Sequence, residues 1–397
     1  MAALSDEDGW RAELGELLAR LGRLFVRPEP REQAGRYLEG LLGPARRKNG
    51  WQLAEVIGDA RPWRTQRVLS HVLWDEEAAR DLCRGYTVER LGADDAVLAV
   101  DETGFLKKGE HSAGGARQYS GAAGRIENSQ VGVFLAYGSR RGQALIDRRL
   151  YLPARWADDA ERRQAAKVPE DLPFRTKPEI AREMVAHAPD AGVPCGWVLG
   201  DAVYGADRQL RMMPEGRGQP YLLGIRGDDK LWSELDGQFG QHAPEPLARA
   251  LPRQAWRRLG AGAGGKGERL HDWARVRLVR LQEPPSDHWL LVRRSIADPE
   301  DLACFVVFGP AAARLLDLAR VAGRRWPVEG CFEAAKQEVG LADYEVRSWR
   351  GWHRHVTLAM LALALLAGLR AGPNAAKGGG PPPVRPSFPS ASLRSAA

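Results

Sequence analysis

Two short apolar runs, each followed directly by an aspartate, constrain the fold of this chain most strongly. Residues 96–100 read AVLAV and precede Asp101, and residues 196–200 read GWVLG and precede Asp201. Short apolar runs between turn-forming residues are typical of buried strands. A carboxylate that follows such a run either leaves the sheet at the strand end or is buried at high cost. We therefore expect both aspartates at the ends of neighbouring strands.

The segments around these runs predict a mixed sheet. Residues 130–137 (QVGVFLAY) and 144–152 predict two further strands joined by a short polar turn, which makes an antiparallel hairpin. Thr176 begins the sequence TKPE, which is typical of a capped helix start. Residues 221–226 (YLLGIR) predict another strand. The order of three strands, helix, strand, helix, strand indicates an α/β fold with a ribonuclease H-like mixed sheet.

Changes of composition along the chain predict five segments. Leucines at helical spacing mark the first, and the last is rich in Pro, Gly, Ser and Ala, a composition that cannot bury a core. We expect a helical N-terminal domain at 1–93, the first part of the core at 94–226, a β-rich insertion at 227–301, the C-terminal helices of the core at 302–372 and a disordered tail at 373–397. Basic residues in the first segment suit a reader of DNA ends, and a solvated helical cap is the alternative.

Charge and composition narrow the class of partner. The net charge of +7 indicates an anionic partner, usually nucleic acid, although an Arg-rich GC-rich genome would produce the same excess. The four cysteines are scattered, which predicts reduced thiols in a cytosolic protein and no zinc site. The longest apolar run, 356–369, is shorter than the ~20 residues of a membrane span. It predicts a buried core helix and no membrane partner.

A third acidic residue stands in a helical pattern near the end of the chain. Residues 324–340 read RRWPVEGCFEAAKQEVG, and Arg325, Glu329 and Lys336 would share one helix face. Such a face can also be a solvated salt-bridge stripe. Two neighbouring carboxylates repel each other unless one is protonated or a cation lies between them. A hard divalent metal with oxygen ligands is the simplest solution.

Three longer stretches carry a family resemblance. Residues 100–137, the sequence GDAVYG at 200–205, and residues 325–349 resemble transposases of insertion sequence family 701, within the larger group of insertion sequence family 4. The resemblance covers roughly residues 30–370. It implies a DDE active site on a ribonuclease H-like fold interrupted by a β-strand insertion. It also implies that the metal-binding and catalytic triad consists of Asp101, Asp201 and Glu329.

The wider group carries a signature of Tyr, Arg, Glu and Lys around the glutamate. Arg325, Glu329 and Lys336 match its spacing, whereas Ala322 stands at the tyrosine position. Glu333, one turn further along, is the alternative third carboxylate. Glu329 is preferred because it alone fits the spacing from Arg325 and to Lys336.

The implied chemistry is phosphoryl transfer with two Mg²⁺ ions, for which Mn²⁺ can substitute. The resemblance implies cut-and-paste transposition: cleavage of transposon ends and strand transfer into target DNA. The expected partners are double-stranded DNA, as terminal inverted repeats and target, and further copies of the chain in a homodimer or higher oligomer. The expected location is the bacterial cytoplasm, with the nucleoid. The DNA-binding side chains would be Arg325, Lys336, Lys107, Lys108 and Lys266.

Other functions are less well supported. A catalytically silent or repurposed DNA-binding regulator or targeting protein would bind DNA without cutting it. A nuclease acting on RNA hybrids would share the fold but not the long family stretches. Residues 260–266 (GAGAGGK) nearly match a phosphate-binding loop, but Gly267 stands where Ser or Thr is required, so we expect no nucleotide binding.

Overall fold

The computed structural model describes residues 2–121, 123–264, 267–279 and 286–372. Its helices are α1 (Ala2–Gly22), α2 (Pro28–Leu42), α3 (Gly50–Val56), α4 (Trp63–Ser70), α5 (Glu76–Leu91), α6 (Ala154–Ala157), α7 (Ala160–Ala165), α8 (Lys177–Asp190), α9 (Ala202–Gly205), α10 (Arg208–Gly216), α11 (Pro244–Arg249), α12 (Leu315–Gly323), α13 (Trp326–Glu338) and α14 (Trp349–Arg370). Its strands are β1 (Val97–Leu106), β2 (Ala116–Ser120), β3 (Arg125–Ser139), β4 (Gly142–Leu150), β5 (Trp197–Gly200), β6 (Tyr221–Ile225), β7 (Leu231–Leu235), β8 (Gln238–His242), β9 (Arg257–Gly264), β10 (Gly267–Arg277), β11 (Asp287–Arg294) and β12 (Leu302–Gly309).

Ten of these strands form one mixed sheet. The order is β2-β3-β1-β5-β6-β12-β11-β10-β9, and β4 pairs with β3. The first strands are antiparallel, as β1 pairs with β3 and β3 with β4, whereas β1–β5 and β5–β6 are parallel. This is the ribonuclease H-like α/β arrangement that the sequence predicts, and the predicted class is confirmed.

Local sequence signals place several elements correctly. The β3–β4 hairpin turns between Ser139 and Gly142, where the predicted polar turn lies. Thr176 caps α8, since its hydroxyl accepts from the Glu179 backbone N–H while the Glu179 carboxylate accepts from the Thr176 backbone N–H at 2.7 Å. This reciprocal capping satisfies amide donors at the helix start that have no partner inside the helix.

Asp101 does not end its strand, so the prediction of a strand end there was wrong. Strand β1 continues to Leu106, because β3 pairs with it from Val97 to Leu106. The parallel pairing with β5, in contrast, ends at Val100. Asp101 therefore lies at the point where one neighbour of β1 stops and the other continues. Asp201, as predicted, directly follows the last residue of β5.

The strands predicted as an insertion are joined to the main sheet. Strand β12 pairs antiparallel with both β6 and β11, and β10 and β9 follow at the edge. The sequence reading missed β2, the β7–β8 hairpin and β9. The expected tail at 373–397 and the expected DNA contact Lys266 lie outside the described residues.

Helix α14 is the central helix of the core. It is long and apolar enough to cross a membrane, but 94% of its apolar window is buried inside the protein. The predicted core helix at 356–369 begins earlier, at Trp349, so His353 and Arg354 lie within it and are buried. The helix contacts β4 of the sheet and the N-terminal helices α5, α2 and α4.

Two buried arginines anchor the N-terminal helices to the sheet through ion pairs. The Arg148 side chain on β4 is 1% exposed and donates to Glu77 on α5 and to Thr357 on α14, each at 2.8 Å. The Arg354 guanidinium on α14 donates to Glu76 at 3.3 Å. Because an unpaired buried charge is costly, these contacts fix α5 against β4 and α14.

His355 on α14 makes a second link to the N-terminal helices. Its Nδ1 lies 2.8 Å from the Tyr37 hydroxyl on α2, and its Nε2 lies 3.0 Å from the Gly340 carbonyl oxygen. A carbonyl only accepts, so Nε2 carries the hydrogen and Nδ1 accepts from Tyr37. Burial, with a smaller effect of the Lys107 charge, lowers the pKa of His355 to about 4.

We expect the protein to lose stability as the pH falls from about 6.5 to about 4. Over this range the unfolded chain takes up a proton on His355, while the folded protein keeps the imidazole neutral. A pKa lowered to about 4 corresponds to a loss on the order of 3 kcal/mol. Urea unfolding at pH 7 and about pH 4.5 measures it, and His355→Gln should lower stability at pH 7 and reduce the pH dependence.

The exposed His111 offers a matched control. His111→Gln should leave stability and its pH dependence as in the wild type. Burial also lowers the pKa of His353. Part of the pH dependence of stability therefore remains in both variants. Equal pH dependence in His355→Gln and wild type would contradict the assignment.

Candidate active site

The parallel register of β1 and β5 brings Asp101 and Asp201 together. Val100 pairs with Gly200, and the two aspartates are the next residues of their chains. Neighbouring strands lie about 4.8 Å apart. The charge of Asp201 is close enough to raise the pKa of Asp101. The predicted pairing of these two carboxylates at neighbouring strands is therefore present.

Asp101 is a carboxylate whose charge is poorly compensated. Its side chain is 17% exposed, and burial is the main cause that raises its pKa to about 6. Arg325 Nη2, 3.8 Å from Asp101 Oδ2, and the Glu102 backbone N–H, 2.8 Å from Oδ1, act in the opposite direction. The charges of Asp201 and Glu102 add to the rise. A further cation near the pair would stabilise both anions.

Asp201 is held by the turn from β5 into α9. Its Oδ1 accepts from the Val203 backbone N–H at 2.9 Å and caps the short helix. The helix lies directly against β6, since a Cβ on Gly205 would collide with the Gly224 carbonyl oxygen. The sequence GDAVYG thus supplies both the capping carboxylate and the glycine that this close approach requires.

The opposite face of β1 carries a hydrogen-bonded brace. Glu102 points away from Asp101, as successive strand residues do. Its carboxylate accepts from the fully buried Tyr204 hydroxyl on α9 at 2.5 Å and from Lys177 Nζ on α8 at 2.6 Å. The brace joins the strand that carries Asp101 to the helix that Asp201 caps. The sequence reading missed Glu102 and Tyr204, although both lie in the stretches that carry the family resemblance.

Helix α13 contacts β1 through two of the three side chains predicted to share one face. Arg325, just before the helix, contacts Asp101, and Lys336 Nζ donates to the Thr103 hydroxyl at 2.7 Å. Glu329 lies between them in sequence and is exposed. Glu333, also exposed, accepts from Gln337 Nε2 at 3.1 Å.

The structure brings Asp101, Asp201 and Arg325 together, but it does not bring the Glu329 carboxylate to them. Across the described ranges, no three His, Cys, Asp or Glu side chains are grouped so that they could hold a metal ion. The two paired carboxylates nevertheless offer the oxygen ligands that hard divalent cations prefer.

The lysines predicted to bind DNA lie in different surroundings. The Lys107 ammonium lies 3.6 Å from the centre of the Tyr344 ring, and burial lowers its pKa to about 8. Lys108 is exposed. Burial also lowers the pKa of Lys336, whose ammonium donates a hydrogen bond to the Thr103 hydroxyl. Of these three lysines, Lys108 is the most accessible to a partner.

A cleft of about 490 Å³ opens beside the carboxylate pair. Its lining includes Asp201 from the start of α9, Arg293 from β11, and Arg325 and Trp326 from the start of α13. Acidic and basic side chains thus meet at one opening, which suits a ligand that carries phosphate and is held near a cation.

Comparisons with known proteins agree with this geometry. A family model described as DDE superfamily endonuclease matches residues 17–272, more than half of the chain. A protein of Microchaete diplosiphon, named "Probable transposase for insertion sequence element IS701", is 30% identical over 175 residues. That alignment covers 44% of this chain and 43% of the relative, so it spans less than half of either. The family match includes Asp101 and Asp201 and ends before Glu329.

We expect Tyr204→Phe to lower the free energy of unfolding by about 1–2 kcal/mol, because it removes a buried hydrogen bond to a carboxylate. Urea unfolding at neutral pH measures the loss. Tyr119→Phe is the matched control, since Tyr119 is 64% exposed and should tolerate the change. Equal stability of the two variants would show that the brace contributes nothing.

Proposed function

The chain belongs to the DDE superfamily endonucleases, and from this premise we propose that it is a DNA transposase that cleaves transposon ends and transfers them into target DNA. The observation that carries the proposal is the pair Asp101 and Asp201 at matching positions of two parallel strands. The resemblance to an insertion sequence transposase supports the choice of DNA transposition within the family.

The family uses divalent metal ions, and the paired carboxylates fit this use. Burial and the charge of Asp201 leave the Asp101 anion in need of positive charge that Arg325 supplies only in part. We propose Mg²⁺ as the ion, two of them, with Mn²⁺ as a substitute. Asp101, Asp201 and Glu329 would hold them, and Glu333 is the alternative third ligand. The ions would supply activation of an attacking water or DNA 3′-hydroxyl and stabilisation of the leaving oxygen.

The protein's own residues position the DNA. Arg325, which is 27% exposed beside Asp101, would bind a phosphate next to the scissile bond. Lys336, which donates to the Thr103 hydroxyl, would support this phosphate contact, and Lys108, Lys107 and Lys266 would contact the DNA backbone. The capped start of α9 and the brace through Glu102 and Tyr204 keep the two aspartates in register before DNA binds.

The proposed partners are the terminal inverted repeats and the target DNA, bound by a homodimer or higher oligomer in the nucleoid of a bacterial cytoplasm. The alternative function is a DNA-binding regulator or targeting protein that does not cut DNA. Two features favour it: Glu329 is exposed, and Ala322 stands at the signature tyrosine position. The carboxylate pair and the family match favour the nuclease.

We expect Glu329→Ala to reduce Mg²⁺-dependent cleavage by more than about 100-fold, because even outer-shell partners of a metal are worth about 10–100-fold. The assay uses labelled DNA that carries the element's own ends, with Mg²⁺, with Mn²⁺ or with chelator. DNA binding in chelator should survive the substitution. Chelator should abolish cutting by the wild type.

Glu333→Ala is the matched control on the same helix and should retain cleavage. If Glu333→Ala abolishes cutting while Glu329→Ala does not, the third carboxylate is Glu333. DNA binding by the wild type without cutting in either metal would contradict the nuclease and favour the regulator.

A further inference from the structure

Basic side chains surround Trp326 at the start of α13. The guanidinium carbons of Arg269 and Arg293 lie 4.5 and 5.6 Å from the centre of its ring. The His271 ring lies nearly parallel to the indole, with ring centres 6.1 Å apart. Arg325 is the preceding residue. These five residues, Arg269, His271, Arg293, Arg325 and Trp326, form what is called here the Trp326 cluster.

The cluster joins two distant parts of the chain. Arg269 and His271 lie on β10 and Arg293 lies on the paired strand β11, in the segment predicted as an insertion. Arg325 and Trp326 lie where α13 begins and touches β1 near Asp101. The insertion strands therefore bring positive charge to the helix that lies against the carboxylate strand.

Among the described residues, the arginines of the cluster have few acidic partners. Within the described part of the chain, Arg269 and Arg293 form no ion pair with a carboxylate within 4 Å, and Arg325 has only the 3.8 Å contact to Asp101. Other arginines of these strands differ, since Arg277 pairs with Asp287 at 2.8 Å and Arg294 with Asp272 at 3.4 Å.

Electrostatic strain within the cluster follows from this imbalance. Burial lowers the pKa of Arg293, the Arg325 charge lowers it further, and only the charge of Asp301 opposes the change. Burial, followed by the Arg293 charge, lowers the pKa of His271. Arg325 Nε is buried without a hydrogen-bond acceptor. A buried N–H without an acceptor is unfavourable. A bound anion would compensate the arginine charges and could accept a hydrogen bond from Arg325 Nε.

The cluster opens onto the cleft beside the carboxylate pair. Arg293, Arg325 and Trp326 line that cleft together with Asp201, Glu245 and Glu300. Glu245 and Glu300 both pair with Arg249, at 2.8 and 2.6 Å, so their charges are already compensated. An anion bound there would lie next to Asp201. Guanidinium groups suit phosphate, because their planar N–H donors match its oxygens, and the flat face of Trp326 holds the arginine planes in place.

We propose that Arg293 and Arg325, which line the cleft, together with Arg269 over the Trp326 ring, bind a phosphodiester group of the DNA backbone beside Asp101 and Asp201. The inference rests on the proposed function and adds a residue set from the insertion strands to the active site. His271 contributes little charge at neutral pH and serves as packing for the Trp326 ring. The insertion segment is then part of the DNA-binding surface of the catalytic cleft.

The test measures binding of a labelled 30-base-pair duplex in chelator, over a range of salt concentrations. Each phosphate contact contributes about 0.9 to the slope of log K against log salt. Arg293→Ala should weaken binding about 5–10-fold at low salt and reduce the slope by about 1. Arg293→Lys, which keeps the charge without the planar fork, should restore the slope and part of the affinity.

Arg277→Ala is the matched control, because it removes the same charge from β10 at a paired and exposed position. It should change affinity and slope less than Arg293→Ala does. Thermal unfolding of each variant identifies any loss of fold. If the folded Arg293→Lys and Arg293→Ala proteins both bind with the affinity and slope of the wild type, the inference is overturned.

Two further measurements distinguish a failure of the proposed function from a failure of this inference. Wild-type protein that binds no duplex at any salt concentration would contradict the proposed function itself and with it this inference. Inorganic phosphate at matched ionic strength competes for the same guanidinium groups, so it should displace more DNA from the wild type than chloride does, and this excess should be lost in Arg293→Ala. Phosphate that binds the wild type through Arg293 without displacing DNA would overturn DNA as the ligand and indicate a site for free phosphate.

Discussion

The end of the parallel pairing between β1 and β5 is the constraint on which the site depends. The parallel pairing ends at Val100 and Gly200, and each strand places a carboxylate at the next position, where Asp101 keeps its pairing with β3. Burial is the main cause that raises the pKa of Asp101, and repulsion from the Asp201 charge adds to the rise. Arg325 offsets this repulsion only in part, so the pair is suited to bind a cation.

The surrounding elements hold that pair in register from both faces of the sheet. On one face, Glu102 accepts from Tyr204 and Lys177 and so connects β1 with α9 and α8. On the other face, α13 contacts β1 through Arg325 and Lys336. The site is thus assembled from segments far apart in the chain, and the insertion strands add Arg269 and Arg293 near its opening.

Local sequence patterns predicted where several helices and strands lie. Contacts between distant residues determine the length of β1 and the surroundings of the site's side chains. Thr176 and Glu179 fixed the start of α8, and the apolar runs located β1, β3, β5 and β6, because these signals depend only on neighbouring residues. The length of β1 depends on β3, which no local pattern around Asp101 contains. The surroundings of Lys107 depend on Tyr344, more than two hundred residues away. The proposed third carboxylate, Glu329, lies beyond the residues matched by the family model, and the helical spacing and the resemblance support its assignment.

The central claim, that Asp101 and Asp201 form a divalent cation site, is tested most directly by locating a bound ion. Fe²⁺ with ascorbate cleaves the polypeptide backbone close to where the ion binds, and mass spectrometry of the fragments identifies the positions. We expect cuts near residues 101 and 201 that excess Mg²⁺ suppresses and that Asp101→Asn and Asp201→Asn each abolish. Cuts confined to other segments, or unchanged by these substitutions, would contradict it.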